Sequence, residues 1–157
     1  MCLGNICRSP TAEAAIREAA DRAGMEVNVR SAGTGDWHVG APPDHRMRAA
    51  AADLDLHLDG TAEHLAVDHL EEADLVVVMD RSNLADVTRL ADRHGVSTPI
   101  RLYRAFDEAS VASADLEVPD PYYGGPEGFT HVVELCRAAA AGVVAHLAGE
   151  RDDPGPR

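Results

Sequence analysis

The opening stretch Met1-Cys2-Leu3-Gly4-Asn5-Ile6-Cys7-Arg8-Ser9-Pro10 carries residue types that can act on a phosphoryl group. A cysteine and an arginine bracket five residues, and Ser9-Pro10 then opens an alanine-rich helix. A loop this short can curl so that successive backbone N–H groups face one anion, and the helix N-terminus adds its positive end. Pro10 suits a first helical turn, where its missing N–H costs nothing, and Ser9 suits the N-cap. Arg8 offers a planar fork for two phosphate oxygens. Facing such a nest, Cys2 is placed to work as a thiolate nucleophile on phosphorus. The Cys-to-Arg spacing alone recurs easily by chance; the chemistry rests on the whole string.

A second stretch, Val118-Pro119-Asp120-Pro121-Tyr122-Tyr123-Gly124-Gly125, supplies a complementary group. Its prolines and glycines make a turn. Its adjacent tyrosines are less usual on a plain surface turn, because aromatic rings favour burial or recognition. A cysteine nucleophile on a phosphate ester needs an acid for the departing oxygen. Asp120, held on a rigid turn beside rings, fits that need.

The string CLGNICRSP resembles the phosphate-binding loop of the low-molecular-weight protein tyrosine phosphatases almost letter for letter, and Asp120-Pro121-Tyr122 resembles that family's acid motif, in the family's order. Met79-Asp80-Arg81-Ser82-Asn83-Leu84 looks like the family as well. The resemblance spans nearly the whole chain. It implies hydrolysis of phosphotyrosine in proteins through a cysteinyl-phosphate, with Cys2 as nucleophile, Arg8 as phosphate grip and Asp120 as general acid. Leu3, Gly4, Asn5, Ile6 and Cys7 would form the phosphate loop, with Asn5 bracing it, Ser9 bonded to the sulfur and Ser31 holding the loop in shape. Trp37, Tyr122 and Tyr123 would line the substrate cleft. For a lone Trp in a loop the plainer reading is a core plug; the family's variable, often aromatic residue at this place favours a cleft wall. No metal or cofactor is implied, since amides and Arg8 supply the positive charge. Cys7 beside the nucleophile reads as loop filling, with a protective Cys2–Cys7 disulfide under peroxide as the second reading.

The elements that must position these groups follow from pattern. Apolar positions Ala12, Ala15, Ile16, Ala19 and Ala23 predict a helix over about Pro10–Ala23, stopped at Gly24. Met25–Ser31 alternates as a strand, and Pro43–Leu54 reads as a helix. The apolar run between Asp74 and Asp80 predicts a strand of a parallel sheet buried on both faces, followed by a helix to His94 capped by Asp80 or Ser82. Pro99–Tyr103 predicts a short edge strand, and a long helix begins by Phe129 with Cys136 inside its apolar stripe. The expected fold is a three-layer α/β sandwich, a small parallel sheet flanked by helices, with the phosphate loop at the sheet's C-terminal edge. Residues 1–148 read as one domain and 149–157 as a disordered tail. His57, His64 and His69 fit no zinc spacing and read as solvated surface.

The 157 residues are 45% hydrophobic and carry a formal net charge of −13, with no Lys among 14 basic residues. That acidity disfavours nucleic acid and anionic membrane as partners and makes the site a local positive spot. No apolar run reads as membrane-spanning, no basic-then-apolar leader begins the chain, and an odd cysteine count argues against a disulfide framework. A cytoplasmic protein acting on phosphorylated protein substrates is expected, its oligomeric state open.

Two features complicate the reading. In relatives an apolar strand precedes the nucleophile, whereas Cys2 here follows Met1 directly, so the first inner strand is absent from this numbering. Either the true start lies upstream or the chain is less stable and less active than one so extended. Other activities also compete. Arsenate reductases share the fold but need further cysteines, and none lies between Arg8 and Leu135. Phosphoarginine phosphatases resemble the loop with threonine at the place of Ile6. A non-catalytic phospho-ligand binding module is the remaining alternative.

Overall fold

Helix α1 (Arg8–Ala23) begins inside the cysteine loop, two residues earlier than expected. Its N-cap is Cys7, and no side chain caps it; Ser9, expected at that position, lies in the first turn and is drawn into the site instead. Gly24 closes the helix in the left-handed conformation (φ 65°), its N–H reaching the Ala20 and Asp21 carbonyls. The computed structural model describes residues 1–152. Helix α2 (His45–Ala52) is capped by the Asp44 carboxylate, which accepts from the Arg46 N–H. A short α3 (Val67–Glu71) leads into strand β1 (Val76–Val78), then α4 (Arg81–His94), whose cap is Asp80. Strand β2 (Ile100–Leu102) follows, then a single 3-10 turn (Tyr103–Phe106), α5 (Glu108–Ser113) and α6 (Pro126–Asp152). α6 continues through Asp152, across the start of the stretch 149–157 expected as a tail; residues 153–157, the rest of that stretch, lie outside the described residues.

The sheet is parallel and small. β1 pairs with β2, Val76 opposite Ile100 and Val78 opposite Leu102. Met1 lies on the other edge of β1: its ammonium donates to the Val77 carbonyl at 2.7 Å, and its carbonyl accepts from the Met79 N–H at 3.1 Å. Single bridges then join Cys2 to Gly33 and Gly33 to His64. The spatial order is therefore β2, β1, the Met1-Cys2 segment, Gly33, His64. Helices cover both faces. One core gathers Ile16 of α1, Met47 of α2 and Val132, Val133 and Val143 of α6. The other gathers Leu70, Val76, Val78, Val87 and Leu102 beneath α3 and α4. This is the three-layer arrangement the sequence implies.

The stretch Met25–Ser31 is not a strand, despite its alternation. A strand exists only when its ladder is paired, and among the described residues this stretch takes part in no ladder pairing. A cavity of about 500 Å³ runs beside it, lined by Met1, Ile16, Val27, Val29, Val77 and Leu147 among others. Parallel strands turn alternate residues toward alternate edges, so Val77, whose carbonyl meets Met1, directs its amide toward the same side, that of the cavity. The cavity leaves β1 less enclosed than the expected burial on both faces: Val76 and Val78 are buried, Val77 only half-buried.

Two further expectations change. α6 is long and apolar enough to cross a membrane by length and composition, the one such helix among the described residues. Phe129, Val132, Val133, Cys136, Ala140 and Val143 on it are nevertheless buried in the core against α1 and α2. His69 is not solvated surface: its imidazole is nearly enclosed, facing the Glu63 carboxylate at 3.1 Å and taking the Ala66 N–H on Nδ1.

Candidate active site

The loop from Cys2 to Arg8 leaves the sheet at its C-terminal edge, where parallel sheets present ligands to their loops. Cys2 is anchored on one side by its own N–H on the Ala32 carbonyl and by the Thr34 N–H on its carbonyl. Its sulfur is buried among donors. The Asn5 N–H points at Sγ from 3.2 Å, and the Ser9 hydroxyl lies 3.0 Å away.

The loop takes its sharp bend at Asn5, in the left-handed region (φ 54°), and not at Gly4. Asn tolerates that region better than most residues, and the bend is held by the Asn5 side chain itself. Nδ2 donates to Ser9 Oγ at 2.8 Å and to Ser31 Oγ at 2.9 Å, and Oδ1 accepts the Glu63 N–H at 2.8 Å. Gly33 lies directly beneath: a Cβ there would come within 2.7 Å of the Leu3 carbonyl, so the close approach requires glycine.

Arg8 is almost wholly buried, 4% exposed, and still makes three charge-assisted or polar contacts. Nη1 donates to Asp80 at 2.6 Å and to the Val118 carbonyl at 3.2 Å, and Nη2 donates to Asp120 at 2.9 Å. Burial works against its charge, but Cys2, Asp120 and Asp80 outweigh that, and its pKa rises. Asp80 is brought here because it ends β1 and caps α4; Asp120 is brought by Val118, whose N–H reaches the Met79 carbonyl at 2.7 Å. Cys7 is different in kind from Cys2. Burial, then the charges of Asp44, Cys2 and Asp120, push its thiol up to about 12, so it stays protonated at neutral pH.

The rim is aromatic. Tyr122 packs edge-on against Tyr123 at 5.0 Å, and Tyr123 is 96% exposed. Trp37 is 71% exposed, which excludes a core plug. Leu3 is exposed, while Ile6 and Cys7 are buried beneath the loop. The structure therefore gathers these residues in two adjacent networks, Cys2, Asn5, Ser9 and Ser31 in one and Arg8, Asp80 and Asp120 in the other, with Tyr122 joined to the second through its N–H on Asp120 at 3.1 Å. Trp37 stands apart on the loop after Gly35, whose N–H holds the Leu3 carbonyl.

Sequence reasoning missed four participants. Asp80 was read only as a cap, yet it also grips Arg8. His38 leans over Gly4, within 3.0 Å of where a Cβ would lie, and its ring faces Tyr122 at 6.2 Å. The Glu63 amide braces Asn5, and a backbone N–H leaves no residue-type signal. Arg46 reaches the Tyr122 carbonyl. Among the described residues no three His, Cys, Asp or Glu side chains are grouped to hold a metal.

Comparison with known proteins agrees with this arrangement. A family model described as low molecular weight phosphotyrosine protein phosphatase matches residues 1–153. A low molecular weight protein-tyrosine-phosphatase of Streptomyces coelicolor is 44% identical over 147 residues, covering 92% of this chain and 89% of that protein. Among solved structures, a protein tyrosine phosphatase from Entamoeba histolytica superposes with a TM-score of 0.87 at 28% identity, over 96% of this chain and 95% of its own. A drosophila arginine phosphatase superposes with a TM-score of 0.85 at 25% identity, over 93% and 94%.

Proposed function

The chain belongs to the low molecular weight phosphotyrosine protein phosphatase family, and we propose that it hydrolyses phosphotyrosine in proteins with Cys2, Arg8 and Asp120 as its catalytic residues. The observation that supports the assignment is the juxtaposition of two clusters: Asn5 and Ser9 on the Cys2 sulfur, and beside them Arg8, which feels the Cys2 charge and holds Asp120 at 2.9 Å. The phosphoryl dianion binds on Arg8 and on loop amides between Leu3 and Arg8, taking the place Asp120 holds on the Arg8 fork. The Cys2 thiolate attacks phosphorus. The P–O bond breaks, and the phenolic oxygen leaves with a proton from Asp120. Water then attacks the cysteinyl-phosphate, giving its proton back to Asp120 as the P–S bond breaks and inorganic phosphate departs.

Trp37, Tyr122 and Tyr123 make the rim that receives the aromatic ring, which favours a tyrosine ester over phosphoarginine. Residues 1–148 serve as one catalytic domain. The cytoplasm is its place, since the mechanism needs a reduced thiol and Cys2, Cys7 and Cys136 are all free. Its partners are phosphorylated proteins, and its acidity argues against nucleic acid and membrane. The test is release of phosphate from matched phosphotyrosine and phosphoarginine peptides. Wild type should prefer the first, and Cys2→Ser should release none. Turnover by Cys2→Ser would refute the nucleophile, and preference for phosphoarginine would move the substrate class.

A further inference from the structure

One charged pair beside the site has no part in the chemistry above. Arg46, in the first turn of α2, grips Asp44 with two bonds: Nε donates to Oδ1 at 3.0 Å and Nη2 to Oδ2 at 2.8 Å. Its third arm, Nη1, donates to the Tyr122 carbonyl at 3.1 Å. The guanidinium plane also lies against two rings, 5.1 Å from the Tyr122 centroid and 4.8 Å from that of Phe129. Asp44 in turn is fixed to the nucleophile loop, because its N–H donates to the Ile6 carbonyl at 2.8 Å. On the other side, the Tyr122 N–H holds Asp120 Oδ1 at 3.1 Å. A single chain of contacts thus runs from Ile6 through Asp44, Arg46 and Tyr122 to Asp120.

We infer that Arg46 is a positioning residue for proton delivery: its fork, braced by Asp44, sets the distance between the Asp120-bearing turn and the Cys2 loop. The inference rests on the reading of Asp120 as the acid. Its necessity follows from the competing tie. Asp120 is otherwise held by Arg8, and an arriving phosphate claims that same fork. Asp120 must then leave Arg8 for the departing oxygen without swinging out to solvent. The Arg46 link to Tyr122 is independent of the phosphate and remains in place at that moment. Lysine cannot reproduce it, because an ammonium is a point charge that cannot hold Asp44 by two parallel bonds and Tyr122 by a third. The plainer role for an Asp–Arg pair at a helix start is local stability, and that role is blind to the leaving group.

The experiment exploits this blindness. The cysteinyl-phosphate is common to all substrates, so kcat/KM, not kcat, reports transfer to Cys2. It is measured for phenyl phosphate, a poor leaving group that needs the acid, and for para-nitrophenyl phosphate, a good one that does not. Wild type, Arg46→Lys, Arg46→Met, Asp120→Asn and the Arg46→Met/Asp120→Asn double variant are compared, with melting curves for each. Arg46→Met should lose about tenfold more on phenyl than on nitrophenyl phosphate, in the manner of a displaced general acid. Arg46→Lys should follow it, and serves alone if Arg46→Met does not fold. In the Asp120→Asn background the loss of Arg46 should add nothing. Equal losses on both substrates, or additive losses in the double variant, would overturn the inference. A steep leaving-group dependence in Asp120→Asn with a flat one in Arg46→Met sinks the clamp alone; a flat one in Asp120→Asn sinks the acid assignment and the clamp with it.

Discussion

Met1 and Cys2 are adjacent, yet the regions they open onto are finished to opposite degrees. Around Cys2 both polar atoms of the Asn5 side chain and its N–H have partners, and the buried Arg8 has three. Around Met1, Val27 and Val29 face a cavity, and a strand-patterned stretch remains irregular. The contrast teaches that the Cys2 loop is braced chiefly by side chains from its neighbouring loops, with continuity of the sheet beneath a lesser support. Ser31, Gly33 and Glu63 hold the loop from one side and Asp44 from the other, and none of them lines that cavity.

Removing the brace should have the largest effect. Asn5→Ala strands the Glu63 N–H, two serine hydroxyls and a left-handed bend. We expect a loss of about 3 kcal/mol in stability and roughly a hundredfold in kcat/KM toward a phosphotyrosine peptide. Activity unchanged in a folded Asn5→Ala protein would show that the loop holds itself.

Filling the other region should come next. Joining five residues of alternating Val and Ile ahead of Met1 places apolar side chains in the cavity and offers a carbonyl to the Val77 amide. A gain of about 3 kcal/mol is expected, or roughly 9 °C in Tm. Turnover should rise as well, because Met1 and Cys2 are continuous with the new strand. An alternating Ser and Asn segment is the control. Equal melting and turnover for the apolar extension and the unextended chain would mean the cavity is not a strand site.

The smallest effect concerns acid. The Arg46 fork holds the Asp44 carboxyl below its ordinary range, against the opposing effect of burial. A depressed folded-state pKa contributes stability above the ordinary carboxylate value, and that contribution disappears as pH falls through the lowered one. Below about pH 4 the Tm of wild type should therefore fall more steeply than that of Asp44→Asn, by about 2 °C. Parallel curves would remove this link between α2 and the loop from the account.

What the sequence disclosed divides along the same line. That Cys2, Arg8, Ser9 and Asp120 would lie close together was legible from residue type and from two motifs in a recognisable order. Helices α1, α4 and α6 were legible from a 3.6-residue period and from Gly24 and Gly95 as stops. Met25–Ser31 misled because alternation describes a strand's readiness and not its partner, which is a non-local matter. Ser9 misled as a cap because the sulfur competes for its hydroxyl. The Glu63 amide, the placement of His38 over Gly4 and the enclosure of His69 depend on which loops meet in space, and α5 and the 3-10 turn are too short to show a period.

The most direct test of the central claim is chemical trapping of the intermediate. A phosphotyrosine peptide labelled on its phosphate is turned over and quenched in acid within the first turnover, and the protein is mapped by peptide. The account predicts label on Cys2 and none in Cys2→Ser. Label elsewhere, or steady turnover by wild type with no covalent phosphate at any time, would contradict it.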